Sequence, residues 1–202
     1  MKERSVIFDK TLDDHLTCFK MLDTVKEPIG TAAGMIISAL TIGQKILICG
    51  NGGSASDAQH FAAEFVGRFT RERRAWPALA LTTDTSLLTA VSNDYGFETV
   101  FSRQVEALGQ PDDVLIGIST SGNSENVIRG MHQAKTMGMQ TIVLTGSEGG
   151  TLAKTADIAV RVPSDVTAIS AVLANVPPSL PVRTMEEHWP KKPILPSGSR
   201  PM

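Results

Sequence analysis

The 202-residue sequence has little net charge, few cysteines and no long apolar run, and each shortage narrows what the chain can be. A formal net charge of −2 offers no basic surface, so we expect no nucleic-acid partner. No apolar stretch approaches the roughly 20 residues that cross a bilayer, so we expect no membrane partner either. Only two cysteines are present, and the charged start Met1-Lys2-Glu3-Arg4 does not resemble a secretory signal. These features predict a cytoplasmic protein.

Five short apolar segments alternate with segments of helical periodicity after residue 45. Short, continuously apolar strands separated by helices are typical of a parallel sheet that is covered on both faces. We therefore predict an α/β fold in three layers, with a five-stranded parallel sheet at its centre. Ligands of such sheets bind beyond the carboxyl ends of the strands, near the topological switch point. The predicted strands are 46–49, 78–81, 113–118, 141–144 and 158–161.

The two ends of the chain differ from this pattern. Residues 1–43 carry apolar side chains at helical spacing, with a second helix expected over 32–40, after Pro28. Their wide apolar faces predict packing on something outside the sheet, such as another subunit. At the other end, seven of the eleven prolines follow residue 176, which leaves no room for an ordinary helix. We therefore predict one domain over 1–168 and a divergent, irregular tail over 169–202.

A cluster of hydroxyl side chains lies between the predicted strand 113–118 and a predicted helix over 125–137. Such a turn combines unpaired backbone N–H groups, hydroxyl donors and the positive end of a helix dipole, which together suit a dianionic phosphate. The same residues also fit a polar turn that only caps the helix. The sequence of this segment is Ser119-Thr120-Ser121-Gly122-Asn123-Ser124.

A second turn, Asn51-Gly52-Gly53-Ser54, follows the first predicted strand. Its glycines would let the backbone approach a ligand closely, although turn geometry alone also explains them. The spacing matches neither a dinucleotide fingerprint nor a P-loop. If the sheet is parallel, this turn and the hydroxyl cluster lie at the same edge.

Two further pairs of side chains are candidates for chemistry. His60 and Glu64 lie four residues apart on a predicted helix, so they share one face. Such a pair can bind a divalent metal, or the carboxylate can act as a base, or the two can form a plain surface pair. Asn93 and Asp94 can bind sugar hydroxyls or merely end a helix.

These motifs, taken in order, resemble those of the bacterial phosphoheptose isomerases, which are SIS-domain proteins. Residues 48–64 (ICGNGGSASDAQHFAAE) resemble the family's first motif, and 81–84 and 92–97 are similar to its middle motifs. Residues 118–124 (ISTSGNS) resemble its phosphate loop. The resemblance implies a flavodoxin-like sheet and a homotetramer bundled through the N-terminal helices. It also implies interconversion of D-sedoheptulose 7-phosphate and D-glycero-D-manno-heptose 7-phosphate, a step toward lipopolysaccharide heptose, often with zinc as the cofactor.

The resemblance also assigns roles to individual residues. Glu64 would be the base that moves a proton between C1 and C2 of the substrate, and it would also contact the substrate. His60 and Glu64 would be the zinc ligands. The phosphate would be held by Ser119, Thr120, Ser121 and Ser124. The sugar would be lined by Asn51, Gly52, Gly53, Asn93 and Asp94.

The resemblance ends near residue 168. The family continues with a helix that supplies a Gln and, eight residues later, a His to the metal site, whereas Val172 and Leu180 stand near those positions here. Two zinc ligands are one short of the usual catalytic set. Two other functions are therefore also open: a non-catalytic binding protein of the same fold, like a relative that binds the replication initiator DnaA, and a sugar-phosphate sensor.

Overall fold

The computed structural model describes residues 2–68, 70–164 and 187, and it shows alternating helices and strands after two N-terminal helices. The strands are β1 (Ile46–Gly50), β2 (Ala78–Ala80), β3 (Val114–Ser119), β4 (Gln140–Thr145) and β5 (Ile158–Arg161). The helices are α1 (Lys2–Lys20), α2 (Lys26–Thr41), α3 (Gly53–Val66), α4 (Thr85–Tyr95), α5 (Val100–Leu108), α6 (Glu125–Thr136) and α7 (Gly150–Thr155), with 3-10 turns at Met21–Val25 and Phe97–Thr99.

The five strands form one parallel sheet in the order β2-β1-β3-β4-β5. This is the flavodoxin-like order, in which the chain moves outward in both directions from β1, so the switch point lies between β1 and β3. The fold prediction is thus confirmed for the described residues. The predicted tail over 169–202 lies outside them, apart from residue 187.

Both faces of the sheet are buried, which explains why its strands read as continuous apolar runs. Ile46 and Ile48 of β1 pack into a core shared with α2 and α3. Leu47 and Cys49, which point to the opposite face, pack into a core shared with α5, α6 and α7. The sheet is therefore held between two helical layers, and its edge strands are partly open to solvent, as at Leu79 of β2.

The second N-terminal helix differs from the prediction in its start and in its packing. It begins at Lys26 and runs through Pro28, because a proline in the first turn loses no intrahelical hydrogen bond. It also packs on the sheet, with Ile29, Ile36 and Leu40 in the core. The expectation that both helices pack outside the sheet was wrong for α2.

α1 does present an apolar face away from the sheet. In the described part of the chain, none of the helices is long and apolar enough to cross a membrane. The exposed apolar side chains of α1 are those of Val6, Ile7, Phe8, Leu12, Leu16 and Phe19, each at least 41% exposed.

The amino-terminal end of the sheet is closed by two carboxylates. Asp113, fully buried, accepts hydrogen bonds from the backbone N–H of Lys45 and of Gln110 and pairs with the Lys45 ammonium at 2.5 Å. Asp157 accepts hydrogen bonds from the Thr141 N–H and hydroxyl at 2.8 and 2.7 Å. These bonds tie together the starts of the neighbouring strands, and each carboxylate is satisfied by the strand or loop beside it.

Candidate functional site

A cavity of about 720 Å³ opens at the carboxyl end of the sheet, around the switch point. We call it the mouth. It is bounded by the turn after β1, the loop after β3 and the loop between β4 and α7. Its lining includes Asn51, Gly53, Ser54, Asp57, Ser119, Thr120, Ser121, Asn123, Ser124, Thr145, Glu148 and Lys154.

The hydroxyl cluster after β3 forms the floor of the mouth. Ser119 is the last residue of β3, and Ser124 occupies the N-cap position of α6. The hydroxyl of Ser124 makes no capping hydrogen bond and instead lies 2.9 Å from the Ser119 hydroxyl. A turn that serves only to cap the helix would need a hydrogen bond from a helix N–H to this hydroxyl, and that bond is not made. Hydroxyls and helix N–H groups converge here, as an anion requires.

The loop that carries these hydroxyls is braced by the loop between β4 and α7. Gly122 has a φ of +65°, and a Cβ there would collide with the backbone of Gly149. The Gly122 carbonyl accepts a hydrogen bond from the Leu152 N–H at 2.9 Å, and the Asn123 side chain accepts two from Thr151 at 3.0 Å. A glycine is required at position 122, and the loop is held before any ligand arrives.

The turn after β1 is fixed by a pair of amides. The side-chain amides of Asn51 and Asn126 exchange two hydrogen bonds, both 2.8 Å long. Asn126, on the first turn of α6, is only 3% exposed, so this pair joins the two loops across the switch point. Gly50 has no room for a side chain, since a Cβ would lie 2.7 Å from the carbonyl oxygen of Ser54.

One carboxylate of the mouth sits in an unfavourable environment. Asp57, on the second turn of α3, is 9% exposed. Burial raises the pKa of its carboxyl, and the charge of His60 partly opposes that shift. Since an anionic ligand would repel this carboxylate, its charge must be offset by donors and cations elsewhere in the mouth.

His60 and Glu64 lie on α3 outside the lining of the mouth. Their Nε2 and Oε1 atoms are 3.6 Å apart, with His60 54% exposed and Glu64 19% exposed. At about 1.5 Å per residue, Glu64 is about 16 Å along the helix from Gly53. Among the described residues no group of three His, Cys, Asp or Glu side chains could hold a metal ion, so this pair supplies two donors of a set that needs a third.

Asn93 and Asp94 also lie outside the lining of the mouth. They are exposed on the last turn of α4, where the Asn93 amide donates a 2.9 Å hydrogen bond to the Asp94 carboxylate. α4 begins at Thr85 because the carboxylate of Asp84, the N-cap residue, accepts a hydrogen bond from the Leu87 N–H. Gly52, which is also predicted to line the sugar, is likewise absent from the lining of the mouth. It has a φ of +56° and lies between Asn51 and Gly53, which do line it.

The structure thus brings two predicted groups together within one chain. Both loops meet at the mouth, as expected for the carboxyl end of a parallel sheet. The predicted residues in its lining are Asn51, Gly53, Ser119, Thr120, Ser121 and Ser124. The predicted residues elsewhere are Gly52, His60, Glu64, Asn93 and Asp94.

Asp57, Asn126, Thr145 and Lys154 are among the residues of the site that were not found from the sequence. Asp57 carried a usable signal, since it precedes His60 by three residues and so shares its helix face. Asn126, Thr145 and Lys154 carried none, because their importance depends on which loops the fold brings together.

Comparison with known proteins gives consistent results. The family model of the SIS domain matches residues 15–146. A phosphoheptose isomerase of Aquifex aeolicus is 62% identical over 138 residues, which cover 68% of this chain and 72% of that protein. One of Aliarcobacter butzleri is 52% identical over 164 residues, covering 81% and 87%.

Solved structures show the same likeness. A phosphoheptose isomerase from Neisseria gonorrhoeae has a TM-score of 0.81 at 42% identity, covering 92% of this chain and 98% of that one. One from Francisella tularensis has a TM-score of 0.83 at 36% identity, covering 92% and 97%.

Proposed function

The chain belongs to the SIS-domain family, among its phosphoheptose isomerases, and we propose that it interconverts D-sedoheptulose 7-phosphate and D-glycero-D-manno-heptose 7-phosphate in the cytoplasm. The observation that carries this proposal is the mouth, where two loops meet at the switch point. Its hydroxyl cluster suits the phosphate of a sugar phosphate, and the family relationship supplies the reaction. The product would serve as a precursor of lipopolysaccharide heptose.

The phosphate end of the substrate would rest on the loop after β3. Ser119, Ser121 and Ser124 present hydroxyl donors, and α6, twelve residues long, directs its N-terminal dipole at the same point. Asn51 keeps one amide hydrogen and one oxygen lone pair after its bonds to Asn126, so it can bind a sugar hydroxyl.

The other end of the substrate needs a base, and Glu64, the residue proposed for it, lies outside the lining of the mouth. A seven-carbon sugar phosphate is shorter than the distance of about 16 Å that separates Glu64 from Gly53 along α3. Asp57, which lines the mouth, lies seven residues or about 10 Å before Glu64 on α3, so a substrate reaches the Glu64 of its own chain only by extending beyond the mouth along that helix. We propose that Glu64 serves the mouth of a neighbouring copy.

The surface of α1 supports such an assembly. Its exposed apolar side chains include Phe8, Leu12 and Leu16, which recur on one face of the helix. Contiguous apolar patches on a protein surface mark interaction sites, and a second α1 would cover this one with matching side chains. We propose a homotetramer bundled through these N-terminal helices.

The chemistry asked of Glu64 is a proton shift. Its carboxylate would remove the proton from C1 of the ketose and return it to C2, while a hydroxyl proton passes from O1 to O2. The intermediate is an enediol, so donors facing O1 and O2 lower the barrier. Asn93 and Asp94, which lie on the surface of α4, are proposed to bind sugar hydroxyls from the same neighbouring side.

Zinc is proposed as the cofactor, with His60 and Glu64 as two of its ligands. When bound, zinc would polarise the substrate oxygens. The described residues fit the metal in kind but not in number, so no step is assigned to it. Equilibrium dialysis with zinc should show binding that is lost in His60→Ala, and wild-type binding retained by that variant would contradict this ligand set.

The proposal is tested by pairing two inactive variants. Glu64→Gln removes the base, and Ser121→Ala with Ser124→Ala removes phosphate donors, so each protein alone should show no turnover of sedoheptulose 7-phosphate. If the sites are shared between copies, co-expression of the two should restore up to about one quarter of wild-type activity, since random pairing leaves that fraction of sites intact.

The outcomes separate the candidate functions. A Glu64→Gln variant that retains turnover would place the base elsewhere, and failure of the mixed oligomers to recover would place Glu64 in its own chain's site. A wild-type protein that binds the sugar phosphate saturably without turnover would favour a sensor. That second function is consistent with a mouth whose lining holds the residues proposed for the phosphate but not the pair His60 and Glu64.

A further inference from the structure

The hydroxyl of Thr145 is buried in the lining of the mouth and has no hydrogen-bond partner within the described part of the chain. Thr145 as a whole is 3% exposed. A buried hydroxyl without a partner costs free energy, so folded proteins seldom keep one without reason. A group that is unsatisfied in the free protein and borders a cavity points to a ligand.

The position of Thr145 shows which part of a ligand it would meet. It is the last residue of β4 and the register partner of Ser119, the last residue of β3. Because partners in neighbouring strands point to the same face, the two hydroxyls project side by side at the edge of the sheet. Ser119 belongs to the hydroxyl cluster, so Thr145 extends that cluster by one strand.

The charges around the mouth point to a second member of this set. Lys154, on α7, is the only lysine or arginine among the described residues that line the cavity. It is exposed and forms no ion pair with any described carboxylate, whereas Asp57 and Glu148 line the same cavity with negative charge. Among the residues that the structure describes, Lys154 is thus the one side-chain cation that a phosphate dianion would meet in this cavity.

We propose that Thr145 and Lys154 belong to the phosphate-binding site. The Thr145 hydroxyl donates a hydrogen bond to a phosphate oxygen, and the Lys154 ammonium attracts the dianion and offsets Asp57. This inference rests on the proposed function, since it names further residues for the same substrate group. The bracing of the β3 loop by the β4–α7 loop, through Gly122 and Leu152, would hold both residues in register with the hydroxyl cluster.

The two residues predict different signatures. Thr145→Val removes a hydroxyl that has no partner among the described residues, so the melting temperature should stay the same or rise, while phosphate affinity should fall about tenfold or more. Lys154→Met should weaken binding about threefold to tenfold at 50 mM salt, with the difference shrinking at 500 mM salt because the lysine is exposed.

Matched controls lie at the other end of the sheet. Thr141, on the same face of β4, is buried and bonded to Asp157, so Thr141→Val should lower the melting temperature and leave phosphate affinity unchanged. Lys135 pairs with Asp157 at 2.9 Å, away from the mouth, so Lys135→Met should leave phosphate affinity unchanged at both salt concentrations.

Calorimetric titration with inorganic phosphate and with sedoheptulose 7-phosphate decides the matter. If the wild type binds both and Thr145→Val binds them equally well, the inference fails while the proposed function stands. If Thr145→Val loses as much thermal stability as Thr141→Val, the hydroxyl is structural and the inference fails too. If the wild type binds neither compound, the proposed function fails and this inference falls with it.

Discussion

Both ends of the sheet carry aspartate and threonine side chains, but at the amino end these side chains are hydrogen-bonded, whereas at the carboxyl end two of them lack partners among the described residues. At the amino end, Asp113 and Asp157 are surrounded by donors from neighbouring strands and loops. At the carboxyl end, within the described part of the chain, neither the buried carboxylate of Asp57 nor the hydroxyl of Thr145 has a hydrogen-bond partner. The described carboxylates at the amino end therefore have hydrogen-bond donors around them, whereas these two polar groups at the carboxyl end have no described partner.

The amino end of the sheet carries polar groups that stabilise the fold, and the carboxyl end carries polar groups that are available to a ligand. A satisfied polar group contributes to the folded state alone, so its removal should affect folding and not binding. An unsatisfied group weakens the free protein slightly and gains its partner only when a ligand binds. The two ends should therefore respond differently to the same kind of substitution.

The largest effect is expected from Asp113→Ala at the amino end. This change leaves the Lys45 ammonium and two backbone N–H groups without their acceptor, so the free energy of unfolding should fall by about 3–5 kcal/mol. Urea denaturation measures the loss, and phosphate titration of the folded fraction should give the wild-type affinity. A loss of affinity with little loss of stability would reverse the assignment of the two ends.

A smaller loss of stability, together with a loss of binding, is expected from Gly122→Ala at the carboxyl end. A side chain there meets the backbone of Gly149 and strains a φ of +65°, which should cost about 1–3 kcal/mol and displace the hydroxyl cluster. Gly43→Ala is the control, since Gly43 has a φ of +91° but open space around it. That variant should lose stability alone, and equal phosphate affinity in both variants would contradict the role of the loop.

The smallest effects are expected from two carboxylates whose pKa shifts have opposite signs. Burial opposes ionisation of Asp157, but hydrogen bonds from Thr141 and Lys135 and the lysine charge outweigh it, so its pKa is lowered. Asp157 therefore stabilises the fold above its unfolded pKa, and this contribution is lost as the pH falls through the lower folded value. Asp157→Asn should lower the melting temperature at pH 7, with the difference vanishing in acid.

Asp57 should show the reverse. Because burial raises its pKa, ionisation costs stability above the folded pKa, and this cost disappears as the pH falls below roughly 4, the ordinary value. Asp57→Asn should raise the melting temperature at pH 7 and make no difference at low pH. Thermal scans of both variants between pH 3 and pH 8 would contradict the comparison if the two curves shifted in the same direction.

Much of the fold was predictable because its signals are local. Apolar runs such as 46–49 and 141–144 mark strands that are covered on both faces, and Asp84 marks a helix start through its own side chain. The sequence does not reveal the helix start at Lys26, because Pro28 reads as a boundary although a proline is compatible with a first turn. Boundaries depend on such single-residue alternatives, whereas the order of the elements does not.

The site was predictable only where a motif announced it. Ser119 and Asn51 follow strands directly, so the parallel sheet itself brings them together. The separation of Glu64 from the mouth follows from the length and direction of α3. The four-residue spacing of His60 and Glu64 predicts that they share a helix face, but it does not predict how far they lie from the mouth. Thr145 reads as an ordinary strand residue, and only the absence of a described partner for its hydroxyl distinguishes it.

The two free cysteines give the molecule built-in reporters of its own motions. Cys49 lies in β1 directly beneath the mouth, where burial raises its pKa to about 12, and Cys18 is buried on α1, with its thiol 3.5 Å from the carbonyl of Pro163. A thiol in either place reacts with a labelling reagent only when its surroundings open. The labelling rate of each cysteine would thus report how often its own region opens. A sugar phosphate that closes the mouth would slow the labelling of Cys49 and leave that of Cys18 unchanged.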